Sequence, residues 1–221
     1  MTGPAERALS ELTEQRLLLH GLGVTNAAVA RAAARHGLDV VLSDDREPAG
    51  AAELASEIDA ELVLGPTSAQ LDALVGAVDA VVPAPGLAET HRLFSAAAEH
   101  GRPVLSEFDL AAAWDDRPVI AITGTNGKTT VTTLVTTMLE RSGLRAAAVG
   151  NLETPLVEAI SDPDIDVFVV EASSFRLEHS QRFAPAVGTW LNFAPDHLDS
   201  HPDLASYEAA RAIQQRLAEA N

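Results

Sequence analysis

The sequence predicts an α/β protein with two consecutive parallel-sheet domains. Short apolar runs alternate with Ala-rich stretches of helical character, and a polar segment at residues 114–118 interrupts this pattern before it starts again. We therefore expect a first domain over residues 1–115 and a second over residues 116–221. A chain of 221 residues is long enough for one or two domains with their own cores.

Each predicted strand of the first domain is a short apolar run, and each predicted helix is an Ala-rich stretch that follows one. The strands are expected at residues 16–20, 39–42, 61–64, 77–82 and 103–106, and the helices at 27–36, 51–60 and 91–100. In the second domain we expect strands at 119–123, 145–149, 167–170 and 187–191, and helices at 128–142 and 207–220. The second domain has few strands for its length, so we expect it to be truncated.

The composition excludes several classes of function. Fifteen Lys and Arg against 32 Asp and Glu give a net charge of −17, whereas proteins that coat nucleic acids or anionic membranes need a basic surface. The absence of cysteine excludes disulfides, zinc ribbons and thiol nucleophiles. The polar N-terminus is unlike a signal peptide, and no run of 18 apolar residues occurs. We expect a cytoplasmic protein that binds neither nucleic acid nor membrane.

The strongest chemical signal lies between the strand at 119–123 and the helix that follows it. Its sequence is Gly124-Thr125-Asn126-Gly127-Lys128-Thr129-Thr130. Glycines let successive backbone N–H groups surround a phosphate, and the helix N-terminus adds the positive end of its dipole. Lys128 can reach the β- and γ-phosphates, and the Thr129 hydroxyl can ligate Mg²⁺. Although Ile122 stands where the general P-loop pattern has its first glycine, these residues predict an ATP site rather than an ordinary turn.

The first domain carries a weaker nucleotide signal. A Gly21-x-Gly23-x-x-Asn26 turn follows the first strand, and Asp44 ends the second strand. This arrangement is typical of a Rossmann-like domain, in which an acid about 20 residues further on accepts a ribose hydroxyl. Since the third glycine is missing, the residues alone leave both NAD binding and a purely structural turn open.

Glu171 is the candidate metal ligand that the residues themselves indicate. It follows the strand at 167–170, at the carboxyl end where an open α/β sheet holds its ligand, and its hard oxygen suits Mg²⁺. An exposed glutamate at a strand end is the alternative. Taken alone, His197 reads as a loop histidine, because imidazole is not a preferred Mg²⁺ ligand.

Four segments together resemble the Mur ligase family, whose members form amide bonds through acyl phosphates. They are the loop at 124–130, the segments at 171–178 and 191–199, and the Gly21 turn together with Pro85-Gly86. The similarity runs from about residue 16 to the end and is strongest to the D-glutamate-adding members. Because these enzymes have three domains, we expect an incomplete portion of a longer ligase, inactive by itself, with a Rossmann-like domain and the front of a P-loop-type ATPase domain.

The resemblance implies an ATP- and Mg²⁺-dependent reaction of peptidoglycan synthesis, in which the carboxylate of UDP-N-acetylmuramoyl-L-alanine is phosphorylated and D-glutamate then displaces the phosphate. It implies catalytic roles for Lys128 and His197, and metal ligation by Thr129, Glu171 and His197. The implied ATP-binding residues are Gly124, Thr125, Asn126, Gly127, Lys128, Thr129 and Thr130. The implied residues for the UDP-substrate are Val24, Thr25, Asp44, Asp45, Arg46, Gly86, Asn151, Ser173 and Ser174.

Arg211 departs from the family pattern, which has a carbamylated lysine there. A guanidinium stays charged and cannot be converted in this way, so we expect Arg211 to contact phosphate directly. The alternatives are that the second metal is lost, that Arg211 turns away and the enzyme is impaired, or that it is an exposed helix arginine with no role. The alternatives to the ligase are a non-catalytic module that binds UDP-sugar and nucleotide, and another Mur-type ligase such as a folylpolyglutamate synthase. We expect a monomer.

Overall fold

The computed structural model describes residues 15–151, 154–177, 179, 180 and 182–192. The chain divides into two compact units between Ala113 and Trp114. None of the helices in the described part of the chain is long and apolar enough to cross a membrane.

The first unit is built on a four-stranded parallel sheet. Its strands are β1 (Arg16–His20), β2 (Asp39–Asp44), β3 (Glu61–Leu64) and β4 (Ala80–Pro83), in the spatial order β3-β2-β1-β4. The chain passes from β1 outward to β2 and β3 and then returns to place β4 on the other side of β1. The strand order therefore reverses beside β1, and crevices at the carboxyl edge of such a reversal are where open α/β sheets bind ligands.

Among the described residues, the first unit and its boundary contain five helices: α1 (Val24–Arg35), α2 (Ala51–Glu57), α3 (Ser68–Gly76), α4 (Arg92–Glu99) and α5 (Glu107–Trp114). Strands β1 and β4 are buried along nearly their whole length, because helices of a doubly wound sheet cover both faces. A core cluster of Leu18, Val41 and Val81 packs with Leu71 and Val75 of α3. This core fixes the carboxyl ends of β1, β2 and β4 relative to one another.

The second unit has a parallel sheet of its own. Its strands are β5 (Val119–Thr123), β6 (Ala146–Gly150), β7 (Val167–Glu171) and β8 (Val187–Trp190), in the order β6-β7-β5-β8. Helix α6 (Lys128–Arg141) follows β5 directly, and the short helices α7 (Leu156–Ala159) and α8 (Ser174–Leu177) precede and follow β7. Strand β5 pairs with β7 on one side and β8 on the other, so the loop that follows β5 lies between the ends of two neighbours.

The structure corrects several of the predicted elements. No strand forms at residues 103–106, where Val104 makes only an isolated parallel bridge with Val81. Helix α1 begins at Val24 rather than at residue 27. The predicted helix at 207–220 lies outside the described residues.

Helices α3 and α5 are absent from the sequence prediction, although both begin with a recognisable cap. Thr67 Oγ1 accepts from Gln70 N, and the Gln70 side chain accepts from Thr67 N. Ser106 and Asp109 make the equivalent reciprocal bonds before α5. A Ser or Thr followed three residues later by an acid or amide is a sequence signal for a helix N-terminus, and it identifies both starts.

Candidate functional site

The loop at 124–130 connects β5 to α6 and depends on two glycines. Gly124 has φ +145° and Gly127, the N-cap of α6, has φ +85°. Both lie where residues with a Cβ are strained. A Cβ on Gly124 would also lie 3.2 Å from the backbone N and O of Asn192. The glycines thus let the loop turn tightly against Asn192, two residues after β8, and lead into α6 with the helix's first N–H groups pointing out of the N-terminus.

Lys128 is the first residue of α6 and is half-buried. Its Nζ donates to the carbonyl oxygens of Gly124 at 2.7 Å and Thr125 at 3.1 Å, so the ammonium lies over the loop's own backbone. Within the described residues no carboxylate forms an ion pair with it. A positive charge held against neutral carbonyls at a helix N-terminus suits an anionic ligand.

Glu171 ends β7, is only 3% exposed, and meets two other candidate residues. Thr129 Oγ1 donates to Glu171 Oε2 at 2.7 Å, and Asn151 Nδ2 donates to Glu171 Oε1 at 3.1 Å. The backbone of Asn151 also donates to the Glu171 carbonyl at 2.9 Å. Gly150 permits this approach, because a Cβ there would lie 2.5 Å from that same oxygen. The sheet therefore brings Lys128, Thr129, Asn151 and Glu171 to one edge.

The donor set around Glu171 fits a divalent cation. A buried carboxylate is costly unless it is paired, and within the described chain its side-chain partners are a neutral hydroxyl and a neutral amide. Carboxylate and hydroxyl oxygens are ligands that Mg²⁺ prefers, and Thr129 is placed where its hydroxyl can serve a metal and a phosphate together. His197 and Arg211 lie outside the described residues, so their predicted roles stay predictions.

Asn192 belongs to the same edge and was not among the predicted site residues. Its side chain makes a reciprocal pair with the loop: Asn126 N donates to Asn192 Oδ1 at 3.0 Å, and Asn192 Nδ2 donates to the Asn126 carbonyl at 2.8 Å. Its own carbonyl accepts from Thr125 N at 3.2 Å. The sequence offered one signal for this role: Asn192 is the first polar residue after the run at 187–191. Because β8 pairs with β5, a residue just after β8 lies beside the loop that follows β5.

The Gly21 turn of the first unit is shaped by close packing and by one buried amide. Gly21 has φ +86°, and a Cβ on it would lie 2.6 Å from the Ala84 Cβ. Asn26, at the position of the missing third glycine, is buried and donates through Nδ2 to the carbonyls of His20 and Val82, both at 3.2 Å. It therefore ties the ends of β1 and β4 together, which explains a polar residue there.

The acidic residues after β2 are already engaged by the protein. Asp44 accepts from Leu22 N at 2.6 Å and from Arg46 N at 2.9 Å, so it joins its own loop to the Gly21 turn. Asp45 contacts two histidines, described below. If Asp44 binds ribose, it would do so with the same carboxylate that already accepts from Leu22 N and Arg46 N.

The remaining predicted substrate residues lie at loop and helix ends. Val24, with 71% exposure, and Thr25 form the first turn of α1, whose N-cap is Gly23. Gly86 lies in the turn after β4 with φ +83°. Ser173 precedes α8, its carbonyl accepting the first turn's N–H groups, and Ser174 is the first residue of that helix.

Comparison with protein-family models finds a match for each unit. The model of the Mur ligase MurD-like N-terminal domain matches residues 15–106, and the model of the Mur ligase middle domain matches residues 122–218.

Curated relatives extend the similarity over most of the chain. The UDP-N-acetylmuramoylalanine--D-glutamate ligase of Desulfotalea psychrophila is 41% identical over 196 residues, which cover 86% of this chain and 42% of that enzyme. The enzyme of the same name from Pelotomaculum thermopropionicum is 38% identical over 211 residues, which cover 92% of this chain and 45% of that protein. The chain thus spans less than half the length of these relatives.

A solved structure shows the same fold. The UDP-N-acetylmuramate:L-alanyl-gamma-D-glutamyl-meso-diaminopimelate ligase from Neisseria meningitides aligns with a TM-score of 0.57 and 20% identity, over 93% of this chain and 69% of that one. With a MurD-like N-terminal domain followed by the region of a Mur ligase middle domain, the chain belongs to the Mur ligase family.

Proposed function

We propose that these two units form the substrate-binding and phosphate-transfer parts of an ATP-dependent amide ligase that adds D-glutamate to UDP-N-acetylmuramoyl-L-alanine. The relatives that carry the name of this reaction support it, as does the loop at the end of β5. The observation that carries the proposal is the contact between the Thr129 hydroxyl and the buried Glu171 carboxylate at that loop. It joins a phosphate-binding helix terminus to a hard-oxygen metal ligand.

In the proposed reaction two anions must meet, because a substrate carboxylate attacks the γ-phosphate of ATP. The site has to neutralise charge rather than supply a strong nucleophile. Lys128 and the N–H groups at the start of α6 are the described groups that can do this. On phosphate binding, the Lys128 ammonium would exchange its contacts with the carbonyls of Gly124 and Thr125 for phosphate oxygens. Displacement of phosphate by the D-glutamate amine then forms the amide.

Glu171 and Thr129 would hold the Mg²⁺, with His197 added by the family resemblance. The ion would neutralise charge on the transferring phosphate oxygens. Asn151 would orient the Glu171 carboxylate through its Nδ2 and contact the UDP-substrate, as the resemblance implies. Ser173 and Ser174 are the further substrate contacts proposed in this unit, and Val24, Thr25, Asp44, Asp45, Arg46 and Gly86 those in the first unit.

The test measures phosphate release by the complete gene product at increasing Mg²⁺, with and without each substrate. Glu171→Gln keeps the shape of the side chain but removes its charge. We expect its half-maximal Mg²⁺ concentration to rise at least about tenfold, as for the loss of a charge-assisted contact. Glu158→Gln, an exposed change on α7, is the matched control and should match the wild type.

Three outcomes would contradict the proposal. Phosphate release that does not depend on the UDP-substrate would exclude this reaction. Release supported by folate and glutamate would favour a folylpolyglutamate-type ligase. Binding of UDP and ATP without any turnover by the complete gene product would indicate the non-catalytic module.

A further inference from the structure

Two histidines and an aspartate meet at the carboxyl edge of the first sheet. His20 ends β1, Asp45 follows β2, and His91 is the N-cap of α4. The His91 Nε2 lies 3.1 Å from Asp45 Oδ2, and the His20 Nε2 lies 3.5 Å from Asp45 Oδ1. The two imidazole centroids are 4.8 Å apart. Three separate chain segments thus converge on one carboxylate.

The hydrogen bonds of His91 assign its proton. Leu93 N donates to His91 Nδ1 at 3.2 Å as the cap of α4, so the lone pair of Nδ1 is in use. A neutral imidazole whose Nδ1 accepts carries its proton on Nε2, and that N–H is the group facing Asp45. A metal ion would need the lone pair of Nε2 instead, at the expense of the cap. The geometry therefore favours a donor to the carboxylate over a metal ligand.

His20, at the end of β1, lies beside the same carboxylate, with its Nε2 3.5 Å from Asp45 Oδ1. Its side chain is 1% exposed, and Ser43 Oγ lies 3.3 Å from its Nδ1. Burial lowers the pKa of its imidazole, and the neighbouring His91 lowers it further, so His20 is neutral at pH 7. Asp45 keeps 53% of its side chain exposed, which leaves part of its carboxylate open to a ligand.

The residues at 44–46 are consequently held from two sides. Asp44 ties them to the Gly21 turn through Leu22 N, and Asp45 ties them to the start of α4 through His91. These attachments lie at the carboxyl ends of β1 and β2, beside the point where the strand order reverses. Uracil and ribose offer N–H and O–H donors that an oriented carboxylate can accept.

We propose that His91 is a positioning residue for nucleoside recognition: by donating to Asp45 it holds the 44–46 segment in the conformation that binds the uridine of the UDP-substrate. This inference rests on the proposed function. It assigns His91 two separable tasks, since Nδ1 caps α4 and Nε2 orients Asp45.

Two substitutions separate these tasks. In His91→Asn the side-chain oxygen can replace Nδ1 as the cap, but the side chain is too short to reach Asp45. In His91→Gln the amide nitrogen extends to about the reach of Nε2, whereas the cap is lost. His100→Asn is the matched control, because His100 sits at the other end of α4 and faces Asp72 in the same way, with 3.3 Å from Nε2 to Oδ2.

The probe is UDP, titrated calorimetrically into the full 221-residue chain, with thermal melting in parallel. We expect His91→Asn to weaken UDP binding about tenfold with an unchanged melting temperature, as for one lost bond to a charged group. His91→Gln should bind within about threefold of the wild type yet melt earlier. Asp45→Asn should weaken binding at least as much as His91→Asn, because it also alters the carboxylate proposed to accept from the nucleoside. The double variant should be no weaker than Asp45→Asn alone, because His91 acts only through that carboxylate. His100→Asn should bind like the wild type.

Several results would overturn this inference. One is wild-type UDP affinity in His91→Asn. Another is parallel loss of binding and melting temperature in both His91 variants, which would reduce His91 to a structural cap. A stoichiometric zinc ion that is lost in His91→Asn would replace the positioning role with a metal site. If the wild-type chain itself does not bind UDP, the proposed function fails in this unit, and that result is distinct from the others.

Discussion

Replacing Asn192 tests whether this residue, two positions after β8, holds the loop at 124–130 in the conformation proposed to bind phosphate. Asn192→Ala removes two hydrogen bonds, one from Asn126 N at 3.0 Å and one to the Asn126 carbonyl at 2.8 Å. Bonds made by the Asn192 backbone, including the one from Trp190 Nε1 at 2.9 Å, remain. The loop therefore loses its side-chain support while the end of β8 stays in place.

The magnitude follows from the exposure of these two bonds. A hydrogen bond contributes a net ~0.5–1.5 kcal/mol, and the lower half of that range applies where water competes. Their loss should cost about 1–2 kcal/mol, which corresponds to a rise of about 5–30-fold in the dissociation constant of MgATP. The change should appear in MgATP affinity and not in UDP affinity, because the Asn192 side chain bonds to Asn126 and not to a residue proposed to contact the UDP-substrate.

Isothermal titration calorimetry with MgATP on the complete gene product measures this change. Thr137→Ala is the control, since Thr137 lies half-buried on α6 and its described side-chain bond, to the Thr133 carbonyl, stays within the helix. A MgATP affinity for Asn192→Ala within about twofold of the wild type, with normal circular dichroism, would refute the reasoning.

Three further changes test other parts of the structure. Lys128→Ala in the complete gene product should slow phosphate release about 100-fold or more, which corresponds to about 3 kcal/mol, while UDP affinity stays within about twofold of the wild type. Steady-state kinetics measure the first effect and calorimetry the second. Unchanged turnover would exclude a role for Lys128 in phosphate transfer. Arg117→Ala should lower the free energy of unfolding, measured in urea titrations, by about 2–4 kcal/mol. The Arg117 guanidinium pairs with Asp115, donates to three backbone carbonyls and lies 4.7 Å from the centre of the Phe168 ring. A loss of less than about 1 kcal/mol would contradict this. Because burial lowers the pKa of His20, the unfolded chain binds more protons than the folded chain as the pH falls below about 6.5. The free energy of unfolding should therefore keep the His20 contribution above that pH and lose it as the pH falls. An NMR titration midpoint at or above 6.5 for His20 would contradict this.

The sequence predicted best those elements that local composition determines. β1, β3 and β5 occur at the predicted residues, because each is a short and mostly apolar run. β1 and β5 are inner strands of their sheets, whereas β3 is an edge strand that is only partly buried. The start of α1 was placed too late, since Gly23 at its N-cap offers no capping side chain. Helix α5 was missed because its apolar residues continue those of the preceding segment, and only the Ser106–Asp109 cap distinguishes it.

The site was predictable only where one segment carries the chemistry. Lys128 and Thr129 stand in a contiguous motif, so their shared position needed no tertiary information. The pairing of Asn192 with Asn126 depends on β8 lying beside β5, and the pairing of His91 with Asp45 depends on β2 and α4 meeting at one edge. Neither neighbour relation can be read from the spacing of residues along the chain.

The strand order of the second sheet determines when the surroundings of the loop at 124–130 can be complete during synthesis. Thr123 and Trp190 are paired neighbours in the sheet, yet 190 − 123 = 67 residues separate them. At about 5–20 residues per second, the ribosome needs about 3–13 s to add the strand that completes the loop's surroundings. All strands of the first unit end by Pro83, so that unit can fold while β5 is still being made. Nascent chains should therefore gain UDP affinity before ATP affinity.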